Sequence, residues 1–371
     1  MTDPVRTPIV QFGTSRFLQA HADLFLSEAR ARGQNVGPVT IVQTTASGAR
    51  SGRLKAFDGT PIPIVVRGIE AGAPVERTAE VTCLVRGLSA VEQWDEVERI
   101  VVEEAETLIS NTSDAGFALV EGERLGAGVP RSFPLKLLKL LAARHAAGGA
   151  PLTLLPCELI PHNGDVLKAL LQKLAVENGL SPAFQDWFSS CVFANSLVDR
   201  IVSEPIEPAG AVAEPYALWA IEKQPGLVAP CIHPNVLMVD DLARYERLKL
   251  FILNLGHTVL AEWWRQEGRS EGELVREIVA DPALRARLDA VYDEEVLPIF
   301  AAGGVAEAPS YRASVLERFE NPYLAHRLAE IFGNHAEKKR RRIGGLLAWK
   351  QAIGLDLQTP KLEAILASDI G

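Results

Sequence analysis

Pro8-Ile9-Val10-Gln11-Phe12-Gly13-Thr14-Ser15-Arg16-Phe17-Leu18 opens the pattern on which the fold reading turns. The apolar run from Pro8 to Phe12 reads as a short buried strand, and Gly13 as the turn that ends it. Beyond Ser15, residues Phe17, Leu18, Ala20, Leu24, Phe25 and Ala29 recur at helical spacing, and Gly33 closes that helix. Val39-Thr40-Ile41-Val42-Gln43 follows as a second strand. Strand, glycine turn, helix and strand within about 35 residues make the first βαβ unit of a doubly wound sheet.

The alternation continues outward. Residues 62–67, 79–85, 106–110 and 152–155 read as strands, and 91–104, 133–147 and 165–177 as helices. After about Asp240 the texture changes. Residues 242–266, 270–279, 282–296, 311–319, 323–331 and 338–352 all carry helix-period apolar positions, and 301–309 reads as a loop. The expected class is α/β, with a doubly wound dinucleotide-binding sheet over 1–240 and an all-helical substrate and catalytic domain over 241–371. Ligands of open α/β sheets bind at the carboxyl ends of the strands, so a site between the two domains is expected.

The chain has 371 residues, 38 Lys and Arg against 47 Asp and Glu, and a formal charge of −9. An apolar fraction of 47% excludes a disordered chain. The acidic balance argues against a dedicated nucleic-acid binder. The exception is the run Lys338-Lys339-Arg340-Arg341-Arg342, which keeps nucleic-acid or partner binding as a non-enzymatic alternative. Cys83, Cys157, Cys191 and Cys231 form neither a CxxC nor a zinc-spaced Cys/His set, so they read as buried reduced thiols and no metal is expected. The start of the chain lacks signal-peptide character, and no apolar segment approaches the roughly 20 residues of a membrane span. A soluble cytoplasmic protein without membrane association is expected; the sequence is silent on oligomeric state.

A dinucleotide site needs a tight turn, close backbone approach to a pyrophosphate and a helix N-terminus aimed at it. Against the G-x-G-x-x-G pattern only Gly13 is present, with Ser15 and Leu18 in the second and third places. Ser15 is small, its hydroxyl could donate to phosphate, and Arg16 could add charge. The segment after the second strand contains no acid for ribose hydroxyls. Gln43 could accept one instead, or Arg50 or Arg53 could meet a 2′-phosphate, so NAD and NADP both stay open on chemistry alone.

The stretch from Tyr245 to His257 carries Glu246, Lys249, Asn254 and His257 through an otherwise apolar run. Glu246 and His257 lie near the Lys249 side of a helix, whereas Lys249 and Asn254 are separated by about 140° of rotation. Polar groups in such a run need partners or a role; a surface stripe with a core histidine is the plain reading. A buried lysine near a second cation has its ammonium form disfavoured, which suits removal of a hydroxyl proton. Amides donating to the resulting alkoxide form an oxyanion hole.

Gly13-x-x-x-Phe17 followed by His21, Ser110-Asn111-Thr112, Pro156-Cys157-Glu158 with Asn163-Gly164, Asn195-x-x-Val198-Asp199-Arg200-Ile201, and Lys249-x4-Asn254-x2-His257 occur in one order. In this the chain resembles the polyol-specific long-chain dehydrogenases, the mannitol dehydrogenase-like family, from Ile9 to about Arg342. Phe193-Ala-Asn195-Ser-Leu-Val-Asp199-Arg200, Trp219-Ala-Ile-Glu222 and the stretch from Asp58 to Gly68 look like its tagaturonate reductase (altronate oxidoreductase) branch.

The resemblance implies a Rossmann domain, a helical C-terminal domain, no metal and hydride transfer with NAD. It implies Lys249 as general acid/base, Asn195 and Asn254 as donors to the reacting oxygen, and His257 as a hydrogen-bond partner of that oxygen or of Lys249. Ser110 and Asn111 would lie beside the nicotinamide ribose, with Gly13, Ser15 and Phe17 toward the pyrophosphate and adenosine. Asp199 and Arg200 could form an ion pair that fixes the Asn195 loop, Glu158 could bind cofactor or cap a turn, and Glu246 could relay protons or lie on the surface. Lys338 and Arg342 match in position a substrate-facing pair, one or two cations for one carboxylate. The substrate is then a sugar acid or ketose acid, or, on the alternative reading, a neutral polyol such as mannitol or arabinitol.

Overall fold

The computed structural model describes residues 5–45, 52–112 and 116–369. Its first eight strands are β1 (Ile9–Phe12), β2 (Val39–Gln43), β3 (Ile62–Glu70), β4 (Ala73–Val81), β5 (Leu84–Ser89), β6 (Thr107–Ser110), β7 (Thr153–Pro156) and β8 (Val192–Phe193). Six form the main sheet in the order β5-β2-β1-β6-β7-β8, and every pair is parallel. The order reverses direction between β1 and β6. At such a switch point the carboxyl ends of two neighbouring strands open a crevice.

Successive side chains of a strand face opposite ways, and both faces here are apolar. Ile9, Ile41, Ile109 and Leu155 belong to one core, and Val10, Phe12, Val42, Leu108 and Leu154 to the other. The first face is covered by α1 (residues 16–31), through Leu18, Phe25 and Leu26. The second is covered by α2 (Trp94–Glu103), α3 (Phe133–Ala146), α4 (Asn163–Glu177) and α5 (Pro182–Ser189).

Residues expected to form one strand at 79–85 are divided between two. The backbone amides of Thr82 and Cys83 both donate to the Ser27 hydroxyl of α1, at 3.0 and 3.1 Å. There the chain leaves one sheet and enters another. Five further short strands lie in a region where the sequence pattern predicts none: β9 (Ser196–Asp199), β10 (Val202–Ile206), β11 (Gly210–Ala213), β12 (Leu218–Glu222) and β13 (Val236–Val239). They build two small sheets, β10-β11-β3-β4 and β13-β12-β9.

The chain divides into two compact units. The first is Met1–Val66, Arg77–Ala213 and Ala217–Leu242; the second is Arg67–Glu76, Glu214–Tyr216 and Ala243–Gly371. From residue 243 on, the described residues of the second unit form helices and loops. The helices are α6 (242–266), α7 (Val275–Val279), α8 (282–302), α9 (Ala308–Glu320), α10 (Leu328–Phe332), α11 (335–352) and α12 (Pro360–Ala367). They enclose a core that includes Phe251, Leu260, Trp264, Leu288, Phe300, Leu328 and Ile343. Within this unit Arg318 and Glu214 form a buried two-point ion pair, with Nε and Nη2 at 2.9 and 2.8 Å from the carboxylate. Breaking such a pair by removing one partner costs about 3–5 kcal/mol, because the other charge stays buried. No helix among the described residues is long and apolar enough to cross a membrane.

Helix α1 encloses a fully buried carboxyl group. Asp23 accepts from Gln11 Nε2 at 3.2 Å, with Cys83 and Arg30 nearby. Burial pushes the Asp23 carboxyl up to about 7 from an ordinary 3.8. Between those values the folded chain holds a proton that the unfolded chain has released, so stability from this group falls as pH rises through that window. Asp23→Asn is therefore expected to raise the melting temperature at pH 8 by a few degrees, with the gap narrowing toward pH 5. Coincident melting curves at pH 8 would refute this.

Candidate active site

In the first unit the site begins at the turn after β1. Gly13 has φ +122°, and a Cβ there would stand 2.4 Å from the Asn111 carbonyl oxygen. Only glycine lets the turn lie this close to the end of β6. The Gly13 amide donates to Val42 at 3.0 Å, and the Asn111 amide to Phe12 at 3.0 Å. Ser15 caps α1, its hydroxyl accepting from the Leu18 amide at 3.4 Å, while Leu18 is fully buried in the core. The two non-glycine places of the motif are thus filled by a helix cap and a core residue.

Arg16 turns away from that role. Its Nε donates to the Gly210 carbonyl at 2.9 Å and its Nη2 pairs with Glu207 at 2.6 Å, at the β10–β11 connection. Arg53 reaches the glycine turn, its Nη1 donating to the Thr14 carbonyl at 2.8 Å. Arg50 lies outside the described residues. Gln43 is buried at the end of β2 and donates to the Thr45 carbonyl at 2.7 Å. Phe17 stacks on His21 at 4.8 Å, and His21 bonds the Leu218 carbonyl at 2.8 Å.

Glu158 resolves as a cap. Its carboxylate accepts from the Ser110 hydroxyl at 3.0 Å and from the Thr112 amide and hydroxyl, both at 2.9 Å. Burial pushes its carboxyl above the usual range, against the pull of those donors. Asn111 Nδ2 donates to the Cys157 carbonyl at 2.8 Å. Beside them the buried Asn163 donates to the carbonyls of Pro156, Glu158 and Ser196, each at 3.0 Å. Asn195 bridges two carboxylates, its Nδ2 standing 2.9 Å from both Asp165 and Glu222, and its Oδ1 accepts from the Asp165 amide at 3.0 Å. Both of its N–H groups are thus engaged by carboxylates of the same unit. Arg200 Nη1 donates to the Ala20 carbonyl at 2.6 Å, so it ties the segment after β9 to α1.

In the second unit the decisive feature is a change of helical pitch. Residues 249–254 of α6 form a π-helical segment, in which the Leu255 amide donates to the Leu250 carbonyl. Bonding from i to i+5 brings residue i+5 round by nearly one full turn. Lys249 and Asn254, far apart in angle on a regular helix, come onto nearly the same side. Both are half-buried, so Lys249 is less enclosed than the run of apolar neighbours suggests. His257, one turn on, is buried, its ring 4.5 Å from Phe319 and 4.7 Å from His326.

Lys338 and Arg342 belong to the same surroundings. Lys338 Nζ donates to the Ile331 carbonyl at 2.7 Å. Arg342 Nη1 donates to the Asn254 carbonyl at 3.1 Å and the Thr258 hydroxyl at 2.9 Å. Burial, then His326 and the cations Arg318, Arg342 and Lys338, hold His257 well below the usual histidine range. His326 is lowered mainly by burial. Burial pushes Arg342 down to about 10, and burial and Arg342 lower Lys338. The result is two neutral imidazoles beside two cations. His326 had no motif spacing to announce it; only the ring contact reveals it. Of the rest of the basic run, Lys339 is buried 3.7 Å from Glu262, while Arg340 and Arg341 are exposed. Among the described residues no group of three or more His, Cys, Asp or Glu side chains could hold a metal ion.

Residues 7–230 match the mannitol dehydrogenase Rossmann domain, and residues 241–368 the mannitol dehydrogenase C-terminal domain. The chain belongs to the mannitol dehydrogenase family, and it is an oxidoreductase. An altronate oxidoreductase of Klebsiella pneumoniae subsp. pneumoniae is 31% identical over 386 residues, covering 97% of this chain and 78% of that protein. One from Bacillus subtilis is 30% identical over 360 residues, covering 90% and 73%. Among solved structures, a D-sorbitol dehydrogenase in substrate-free form superposes with a TM-score of 0.79 at 21% identity, covering 95% of this chain and 78% of that one. The Pseudomonas fluorescens mannitol 2-dehydrogenase in ternary complex with NAD and D-mannitol gives 0.75 at 20% identity, covering 98% and 78%. These two share the fold.

The neutral state of His257 has a measurable consequence. Below about pH 6.5 the unfolded chain takes up a proton that the folded chain refuses, so stability from this group is lost as pH falls. Thermal unfolding at pH 7.5 and 5.5 is expected to show a smaller drop for His257→Gln than for the unsubstituted chain. An equal or larger drop in the variant would contradict the assignment.

Proposed function

We propose that this chain is an NAD-dependent oxidoreductase that interconverts a ketose acid and its sugar acid, of the tagaturonate/altronate or fructuronate/mannonate type, without a metal. The observation that carries the reading is the pair Lys338 and Arg342 beside His257. Their hydrogen bonds go to carbonyl and hydroxyl oxygens, and no carboxylate neutralises either among the described residues. Two partly buried cations without an anion suit a ligand that brings its own carboxylate. The naming of the 31% identical relative as an altronate oxidoreductase supports the same substrate class.

The first unit fits a dinucleotide. Gly13 keeps open a cradle that a Cβ would close against Asn111, at the start of α1 and at the switch point of the sheet. Gly13, Ser15 and Phe17 are assigned to the pyrophosphate and adenosine side, Gln43 to the ribose, and Ser110 and Asn111 to the nicotinamide ribose. The bound NAD in the Pseudomonas fluorescens relative supports that cofactor. NAD accepts or supplies the hydride. The domain reading is 1–240 for cofactor and 241–371 for substrate. Four buried free thiols support a reducing, cytoplasmic setting.

In this reading Lys249 gives a proton to the carbonyl oxygen during reduction and removes the hydroxyl proton during oxidation. Asn254, brought round by the π turn, donates to the same oxygen as its charge develops. His257, neutral, hydrogen-bonds a substrate oxygen. Lys338 and Arg342 hold the carboxylate.

Oxidation of NADH and NADPH with tagaturonate, fructuronate and fructose tests the reading. Turnover of an acid with NADH is expected, fructose alone would point to a neutral-polyol enzyme, and no turnover with any ketose or ketose acid would refute it. Lys249→Ala is expected to lower kcat by about 10²- to 10⁴-fold while NADH still binds. Normal turnover in that variant would remove Lys249 from the mechanism. Lys338→Met is expected to raise KM for the acid by about 10- to 100-fold, the loss of one charge-assisted hydrogen bond. An unchanged KM would take Lys338 out of carboxylate binding.

A further inference from the structure

The π turn of α6 is held by side chains from two other helices, and each of those side chains stands in a π segment of its own. In α8, residues Tyr292–Val296 are π-helical, and Tyr292 is fully buried. Its hydroxyl donates to the Ile252 carbonyl at 2.9 Å. In α11, residues Arg340–Gly344 are π-helical, and Arg342 donates to the Asn254 carbonyl at 3.1 Å. Thr258 completes the second contact, its hydroxyl donating to the same Asn254 carbonyl at 3.0 Å while accepting from Arg342 at 2.9 Å. A π turn interrupts the regular i→i−4 ladder, and inserted side-chain donors are one way such a break is held.

The sequence makes room for this. A Cβ at position 256 would stand 2.0 Å from the Tyr292 hydroxyl and about 3 Å from the Phe319 ring. Gly256 is what lets the phenol reach the carbonyl one turn back. Burial also raises the Tyr292 phenol far above its ordinary range, so it remains a donor at every working pH.

We propose that Tyr292, acting with Thr258 and Arg342, is a positioning residue that holds the 249–254 turn wide and thereby keeps Lys249 and Asn254 on one side of the helix. The inference rests on the reading of Lys249 as the acid/base. Without the bond from Tyr292, the segment can relax toward regular helical bonding, and Asn254 then rotates away from Lys249 by about 140°. The oxygen would lose one of its two partners while the carboxylate contacts, on α11, stay in place. The damage therefore falls on the chemical step rather than on binding.

Tyr292→Phe in the full chain, assayed with tagaturonate and NADH (or with whichever ketose or ketose acid the substrate screen identifies), is the test. The expected result is a kcat lower by about ten- to a hundredfold with KM changed less than about twofold. The pH profile of kcat is expected to shift, and amide hydrogen exchange over 249–256 to speed up. Thr258→Val, which removes the hydroxyl's bond to the Asn254 carbonyl without touching Tyr292, is expected to act in the same direction and stands in if Tyr292→Phe does not fold. Wild-type kcat, pH profile and exchange in a folded variant of either kind would overturn the proposal, as would a loss of kcat without faster exchange. Lys249→Ala separates the two ideas. If it retains activity, the catalytic reading fails. If it is inactive while Tyr292→Phe turns over normally, only the clamp fails.

Discussion

The close approach of Gly13 to the Asn111 carbonyl is the constraint around which the first unit is organised. It fixes the turn after β1 against the end of β6, and the neighbouring bonds extend the arrangement outward. Ser110 and Thr112 converge on Glu158, Asn111 reaches the carbonyl after β7, and Asn163 ties β7 to β9. One position without a side chain thus sets the register of several strand ends. The interior bears the electrostatic consequence: a carboxylate is held there by three donors although burial disfavours its charge.

The second unit solves a different problem. It carries a lysine and an asparagine five residues apart on one helix, which regular pitch would set about 140° apart. A widened turn brings them closer in angle, and side chains from two neighbouring helices bond its carbonyls. The net acidity of the chain conceals a local reversal here. Around His257 the cations Lys338, Arg342 and Arg318 all disfavour its charge, and among the described residues Arg318 is the one of the three paired with an acid, Glu214. Burial first, and then that local field, keep the imidazole neutral, and so leave it able to donate one hydrogen bond and accept another.

Much of this was legible in the sequence where the periodic signal was long. The first βαβ unit and the longer helices of the last third follow from spacing alone, because runs of that length sample several turns or pleats; residues 270–274 and 323–327, expected to be helical, are not, and the helix Pro360–Ala367 was not expected. The strands from Ser196 to Val239 did not, since each has only four or five residues and no alternation long enough to count. The site was legible by residue type but not by geometry. Lys249, Asn254 and His257 stand out as polar residues in an apolar run, yet a period of 3.6 separates the first two. Arg16 carries the right charge at the right place in the motif, but its guanidinium is taken by Glu207 and Gly210. Asn195 has the right chemistry, but Asp165 and Glu222 use both its N–H groups. Competition for donors is a property of the folded chain and leaves no trace in spacing.

The ion pair of Arg318 with Glu214 bears on the order in which the chain can fold as it is synthesised. The second unit is assembled from a strand tip at 67–76, a short segment at 214–216 and the helices after 243. Its earliest pieces leave the ribosome long before its last. Glu214 must wait for more than a hundred further residues before Arg318 emerges, and Gly68 waits longer for Asn321, which packs against it. The sheet of the first unit can form during that interval, but the helical unit cannot close until translation has passed Asn321. Its folding is in effect post-dated.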